Sequence, residues 1–480
     1  MMLASASVWS LTEPKVGPAG PGTAWSPKEP RGTSTSGGKV EFSSGNTLRL
    51  EGRLGHTRLA ADRENESFML FNLRAGATRD GRSREPLNLA IVIDRSGSMK
   101  GQKIANALAA AQGTVERLRD GDSLSIVVYD QIAETLVPST TIDSFSRRRA
   151  LSALSSVTAR GDTCISCGLE TAFQSVRGRS GSVSRILLLS DGEATAGVRD
   201  VEGFRRLGED MGRAGVSLTT IGVDVDYNER VMAVLAQASS GRHHFVENSS
   251  GLSAIFEQEF SGLSETVARD ARLNLELAPG VELVDVVDRT FERRAGEISV
   301  RVGDFTAGDE KTVLVRVRVP KGSAGERPIA EARLRYDDLV LGSEGSCEGR
   351  LSLALTDDPD QVSPLDPLVE GRLQRTETAS ALTEANRLFS EGKADAARDK
   401  LEKGLDVLRN KKSVALRAAP ASRAKELSAD FDRQEAALGG AAQGFATPPQ
   451  AAASPNGDFD DRKGKAQVRQ NQKSAVDLAF

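Results

Sequence analysis

Aromatic side chains are scarce in this chain: 16 Phe, 3 Tyr and 2 Trp among 480 residues. That scarcity argues against recognition of nucleic acid by base stacking, which needs exposed rings. An excess of one charge is lacking too, because 63 Lys and Arg nearly cancel 67 Asp and Glu and leave a net −4. No broad basic face is therefore expected for nucleic acid or anionic lipid. No run approaches the roughly 18 to 20 apolar residues a membrane-spanning helix needs. The opening MMLASASVWSLTEP has a short apolar run with no Lys or Arg before it and Glu13 and Pro14 right after, so it does not read as a secretory signal. The compartment stays open, and an extracytoplasmic one would imply a different start. Three cysteines, Cys164, Cys167 and Cys347, are too few for a disulfide scaffold. The phosphate-loop pattern Gly-x-x-x-x-Gly-Lys-Ser/Thr is absent, and the three histidines, His56, His243 and His244, suggest no Ser–His–acid arrangement. A non-enzymatic protein is expected.

What is present divides the chain into segments. Residues 1–39 hold a Pro-, Gly-, Ser- and Thr-rich stretch from residue 12 onward and read as a disordered leader. Residues 40–86 contain TLRLEGRL and SFMLFNLRA, where apolar and polar residues alternate as in half-buried strands. Over 87–262 the pattern becomes short apolar runs (LNLAIVI, SLSIVVY, SRILLLS, VSLTTIGV) separated by helical segments near 102–118, 165–177, 201–214 and 228–238. Continuous β-branched runs mean strands covered on both faces, and strand–helix alternation means a parallel sheet, so a doubly wound α/β domain is expected. Alternation returns over 268–356 and predicts a β-sandwich, with the strands of 40–86 joining it and the α/β domain inserted between them. In residues 367–438 apolar residues recur at three- and four-residue spacings, and Gly392 separates what reads as a helical hairpin. Residues 439–480 are low in apolar content and read as a disordered tail.

The informative stretch is Asp94-Arg95-Ser96-Gly97-Ser98, at the point where a buried strand runs into a Gly-containing turn and then a helix. In open α/β sheets the loops at the carboxyl ends of the strands form the ligand crevice. Two further polar residues fall on equivalent loops: Thr163, just before a helix, and Asp191, just after the strand that ends at Ser190. Carboxylates and hydroxyls are hard oxygen donors that suit Mg2+, Mn2+ or Ca2+ and suit zinc or copper poorly. Five such side chains do not saturate a magnesium that takes six ligands at about 2.0–2.1 Å, so one position stays open to an incoming anion.

The D-x-S-x-S of 94–98, the Thr on a later loop and the S-D-G-E of 190–193 resemble the metal-ion-dependent adhesion site of von Willebrand factor A-type domains. The likeness extends through Ile221-Gly222-Val223-Asp224 and Gly241-Arg242-His243-His244-Phe245. The resemblance implies that Ser96 and Ser98 coordinate directly, Thr163 directly or through water, and Asp94 and Asp191 mostly through water. It further implies that a protein partner's Glu or Asp completes the shell, with readout by movement of the last helix near Leu252–Leu263. An accessory subunit that recruits clients to an AAA-type ATPase is the alternative reading, which the helical hairpin favours.

Three neighbours of the motif are weighed beside it. Asp162 departs from the family, which often has small or uncharged residues before the Thr; it is expected to face solvent or cap the helix starting near Ile165. Cys164 and Cys167 stand at a helix N-terminus, which stabilises a thiolate, so a redox switch beside the metal is one reading. Without the Trp or Pro of thioredoxin-like sites, the expected reading is two small buried side chains packing the helix onto the sheet. His243 and His244 are expected to be structural, on an edge strand.

Overall fold

The computed structural model describes residues 42–76, 85–179, 181–224, 228–294, 296–445 and 462–479. The expected leader, 1–39, lies outside them. Among the described residues no helix is long and apolar enough to cross a membrane.

The four apolar runs of the α/β domain form strands Leu87–Asp94, Ser123–Tyr129, Val183–Ser190 and Val216–Val223, buried at every position. Each supplies both faces of the sheet: Leu89, Ile91 and Ile93 pack on one side, Ala90 and Val92 on the other. Helices Gln102–Arg117, Ser144–Ser155 and Leu252–Ser264 cover the first face; Ile165–Val176, Val201–Arg213 and Glu229–Ala238 cover the second. Burying one Leu or Ile fully stabilises by roughly 1.5–3 kcal/mol, so two apolar faces per strand account for this domain's core.

Across the sheet the order is His243–Val246, Val216–Val223, Val183–Ser190, Leu87–Asp94, Ser123–Tyr129, Ala133–Thr141. The first five are parallel and the last is antiparallel. The chain moves from Leu87–Asp94 to one neighbour, Ser123–Tyr129, and later returns to the other, Val183–Ser190. The order therefore reverses at the carboxyl ends of the two central strands, where such sheets open a crevice.

The strand Ala133–Thr141 and the helix Ser144–Ser155 are absent from the sequence reading. The strand is an edge with no fully buried position and carries Pro138, and the helix buries only Ala150 and Leu154. Neither leaves a clear apolar period. Asp143 starts that helix by accepting from the amides of Phe145 and Ser146, while Ser146 Oγ accepts from Asp143 N.

The remaining strands fall into two sheets that share one core. Asn65–Ala75 pairs antiparallel with Glu310–Val319 and with Leu48–Leu54, so strands from before and after the α/β domain lie side by side. In Glu310–Val319 the inward residues Val313, Val315, Val317 and Val319 are fully buried. On the other face Leu314 is buried too, beneath Val369 of a helix.

The C-terminal region differs from the hairpin and disordered tail expected. Gly392, at φ +77°, does separate Pro367–Ser390 from Ala394–Ala418, but a third helix, Ala421–Gly444, and a fourth, Arg462–Ala479, complete a bundle with a common core. Residues 439–444 and 462–479 are thus helical. Val468, Ala475 and Leu478 lie on one helical face and are buried against neighbours. Low overall apolar content conceals such a face.

Candidate functional site

Strand Leu87–Asp94 carries Asp94 to the crevice, and the chain turns there because the side chain closes on its own backbone: Ser96 N donates to Asp94 Oδ1 at 2.8 Å. The other carboxylate oxygen accepts from Ser190 Oγ at 2.7 Å and Tyr129 Oη at 3.2 Å, each at the end of a flanking strand. Asp94 is thereby fully buried and held from three strands. Burial pushes its carboxyl up to about 6, against the lowering effect of the Ser96 and Ser190 hydrogen bonds, and the nearby Asp191 charge adds to the rise. Burial also pushes the Tyr129 phenol well above its ordinary value, so it stays a donor to Asp94.

Ser96 Oγ lies 2.9 Å from Ser98 Oγ, and Ser98 Oγ donates to Asp191 Oδ1 at 2.7 Å. Thr163 stands near them across Gly192. A Cβ built on Gly192 would stand 3.6 Å from both Ser98 Oγ and Thr163 Oγ1, so the missing side chain at 192 leaves room between those hydroxyls. Ser98 is exposed while Ser96, Thr163 and Asp191 are buried, so the cluster opens outward at Ser98.

The loops are tied to each other by backbone. Gly97 N donates to Gly161 O at 2.9 Å and Arg160 N to Arg95 O at 2.6 Å. Arg95 and Arg160 both reach the Asp130 carboxylate, at 3.0 and 3.2 Å. The Thr163 carbonyl accepts from Thr195 N at 2.9 Å and Ala196 N at 3.2 Å, joining the Thr163 loop to the one that follows Asp191.

Lys103, on the first turn of Gln102–Arg117, pairs with Asp191 Oδ2 at 2.7 Å and with Asp224 at 3.0 Å. Burial opposes its charge, but the hydrogen bonds to Asp191 and Asp224 outweigh it and raise its pKa. Lys103 and Tyr129 were missed by sequence reasoning, and Ser190 and Asp224 stood in its motifs without a role of their own. The signal existed for Tyr129 and Ser190, each the last residue of a buried strand.

All five residues singled out, Asp94, Ser96, Ser98, Thr163 and Asp191, come together. Among the described residues no group of three or more His, Cys, Asp or Glu converges as a metal site. The cluster is of another kind, two carboxylates with three hydroxyls, and its donors suit a hard divalent ion.

Asp162 is exposed, and the helix Ile165–Val176 has no side-chain cap, so the solvent-facing alternative describes it. Cys164 and Cys167 form a disulfide, where two separate small side chains were expected. Cys164 is buried and Cys167 partly exposed. His243 is bonded to Thr220 Oγ1 at 2.9 Å, His244 to Glu259 at 2.9 Å and His56 to Ser67 at 3.0 Å, none of these partners belonging to the five.

Residues 88–258 match the family described as von Willebrand factor type A domain. Among curated proteins, the uncharacterized protein sll0103 of Synechocystis is 29% identical over 292 residues, 58% of this chain and 69% of that protein. The uncharacterized protein YfbK of Escherichia coli is 28% identical over 237 residues, 47% of this chain but 41% of its own length. Mouse inter-alpha-trypsin inhibitor heavy chain H2 is 24% identical over 266 residues, 53% of this chain and 27% of its own length. Among solved structures, a von Willebrand factor type A protein from Catenulispora acidiphila superposes with TM-score 0.69 at 17% identity, covering 91% of this chain and 98% of that one. The ArnB paralog VWA2 from Sulfolobus acidocaldarius gives TM-score 0.60 at 19% identity, covering 91% and 100%. These two likenesses extend the shared fold well beyond the α/β domain.

Proposed function

Since residues 88–258 form a von Willebrand factor type A domain, we propose that the chain is a divalent-metal-dependent protein-binding module that captures a carboxylate of a partner protein. Asp94, Ser96, Ser98, Thr163 and Asp191 would hold one ion, with Mg2+ first and Mn2+ or Ca2+ as alternatives. The observation that carries this reading is the contact of the exposed Ser98 hydroxyl with both Ser96 at 2.9 Å and Asp191 at 2.7 Å. It puts hydroxyl and carboxylate oxygens of two loops together at an open face.

The bound ion supplies positive charge, incompletely neutralised where its direct ligands are hydroxyls, and so attracts an acidic side chain. The protein's own part is preorganisation. Ser96 N, Ser190 and Tyr129 fix the Asp94 carboxylate so that it does not have to be ordered on binding, and the pairing of Gly97 with Gly161 keeps the serine loop against the Thr163 loop. Relatives named for the inter-alpha-trypsin inhibitor heavy chains support an interaction role.

Calorimetric titration of the full chain with MgCl2 or MnCl2 tests the metal: one ion per chain is expected. Absence of binding of Mg2+, Mn2+ and Ca2+ at millimolar concentration overturns the reading. Capture of a partner from extract of the source cell should then be lost in EDTA and restored by Mg2+; capture indifferent to EDTA would separate recognition from the metal.

A further inference from the structure

The Cys164–Cys167 disulfide immediately follows Thr163 and has no part in the function just described. We propose that it is a reversible redox-modification site: an external dithiol opens it, and its state sets how firmly the Thr163 loop is held for the metal. The second half of the proposal rests on the metal-binding reading.

Helix Ile165–Val176 starts at Cys164 without any side-chain hydrogen bond to its first turn. A side-chain cap stabilises a helix by on the order of 1 kcal/mol. Here the covalent link runs from the residue before the helix to its third residue and fixes the turn instead.

That turn is coupled to the metal loops on both sides. Cys164 N donates to Asp130 O at 2.7 Å, Thr163 N to Thr195 Oγ1 at 2.9 Å, and Val198 N to Ser166 Oγ at 3.0 Å. Gly197 rests directly on the sulfur. Its φ is +69°, and a Cβ there would stand 2.7 Å from Cys164 Sγ and 2.4 Å from Ser166 Oγ. The segment between Asp191 and Val198 is thus laid over the cystine, with Thr163 beneath it.

Reduction requires the sulfurs to part from bonding distance to van der Waals contact. Cys164 is enclosed beneath Gly197, so movement falls on Cys167, whose partial exposure also makes it the point of attack. A thiolate of the dithiol bonds to Cys167 Sγ, the Cys164–Cys167 bond breaks, and its electron pair leaves on Cys164 Sγ, which takes a proton from water. The dithiol's second thiolate then attacks its own sulfur in the mixed disulfide, closing a cyclic disulfide and releasing Cys167 as a thiolate that is protonated in turn. The reductant loses two electrons and the cystine gains them. The first helical turn is left without covalent link or cap, and Thr163 loses its fixed backbone.

Three measurements on the full chain test this. Alkylation in denaturant followed by mass analysis should count Cys347 alone before native treatment with dithiothreitol and all three cysteines after it. Amide exchange at Thr195 and Ala196, which donate to Thr163 O, should quicken at least fivefold in the reduced chain. Mn2+ affinity should fall at least fivefold in the reductant-free double variant Cys164→Ser/Cys167→Ser relative to the oxidised wild type. A cystine that resists dithiothreitol in the folded chain overturns the proposal, as do unchanged exchange after reduction and unchanged affinity in the double variant. If the oxidised chain binds no Mn2+ while exchange still quickens on reduction, the metal reading fails and the redox coupling of the loops stands.

Discussion

Lys103 donates to Asp191 across 2.7 Å, which places an ammonium against one of the two carboxylates of the proposed metal site. A lysine and a divalent ion sharing Asp191 repel each other by a few kcal/mol at an effective dielectric of about 20. Lys103→Gln should therefore bind Mn2+ about tenfold more tightly, about 1.4 kcal/mol, because the amide can still reach Asp191 without the charge. Calorimetry decides the sign. Weaker binding would mean that Lys103 holds Asp191 in place for the ion rather than competing with it.

Ser98 contributes a hydroxyl at an exposed position and fills no core volume. Ser98→Ala should lower Mg2+ affinity more than tenfold, over about 1.4 kcal/mol, and leave the melting temperature unchanged, since water can replace the hydroxyl beside Asp191. Metal affinity equal to wild type would remove Ser98 from the site.

The sequence made Asp94, Ser96 and Ser98 legible because a buried, mainly apolar strand ending in Asp, with Ser-Gly-Ser two residues on, marks the one end of a parallel sheet where polar groups are useful. Thr163 and Asp191 followed from the same logic. Lys103 was not legible, since a lysine on the first turn of an amphipathic helix ordinarily faces solvent. Only the strand order, which sets Ser123–Tyr129 and Val183–Ser190 on either side of Leu87–Asp94, brings Tyr129 and Ser190 to Asp94. The cystine was hidden for a similar reason: two cysteines three apart are compatible with a bond, but only their position under Gly197 gives the bond something to hold.

His243 should make the chain acid-sensitive. Burial, the neighbouring His244 and the cationic Lys473 and Arg469 hold its imidazole down at about 3, while Thr220 bonds to it. In the unfolded chain it titrates near 6.5. Between those values the unfolded state binds the extra proton, so stability is complete above about 6.5 and declines as pH falls toward 3. From pH 7 to pH 5 the loss is about 2 kcal/mol. Denaturant unfolding of His243→Phe should show a flatter pH dependence over that interval; a slope equal to wild type would place the acid sensitivity elsewhere.

In strand Glu310–Val319 the two faces are unequal. Val315 is fully buried opposite Met69, whereas the Arg316 side chain is 42% exposed with Glu66 at 3.9 Å. A carboxylate at 315 has no partner, so Val315→Asp should cost more than about 4 kcal/mol or prevent folding. Arg316→Gln should change stability by no more than about 0.5 kcal/mol. Chemical denaturation of the two variants in the reverse order would mean that the strand faces are assigned the wrong way round.

The C-terminal helix Arg462–Ala479 joins the bundle to the α/β domain. It packs on Pro367–Ser390, Ala421–Gly444, Glu229–Ala238 and the edge strand His243–Val246. Val468 is buried in the bundle core, its carbonyl accepts from Asn386 Nδ2 at 3.0 Å, and Asn471 Nδ2 donates to Asn386 Oδ1 at 2.9 Å. On the other side Arg469 pairs with Glu229. A few apolar side chains and one buried amide pair thus hold a helix otherwise rich in Lys, Arg and Gln, so a single buried charge should release it. Val468→Asp should make trypsin cleavage at Lys465, Arg469 and Lys473 at least tenfold faster than in wild type. Mn2+ binding should stay unchanged, because none of the five proposed ligands lies on this helix or on Glu229–Ala238. Wild type cut as fast as the variant would show that the docked helix is not the resting state in solution. Loss of metal binding in the variant would instead show that docking of the helix supports the metal site.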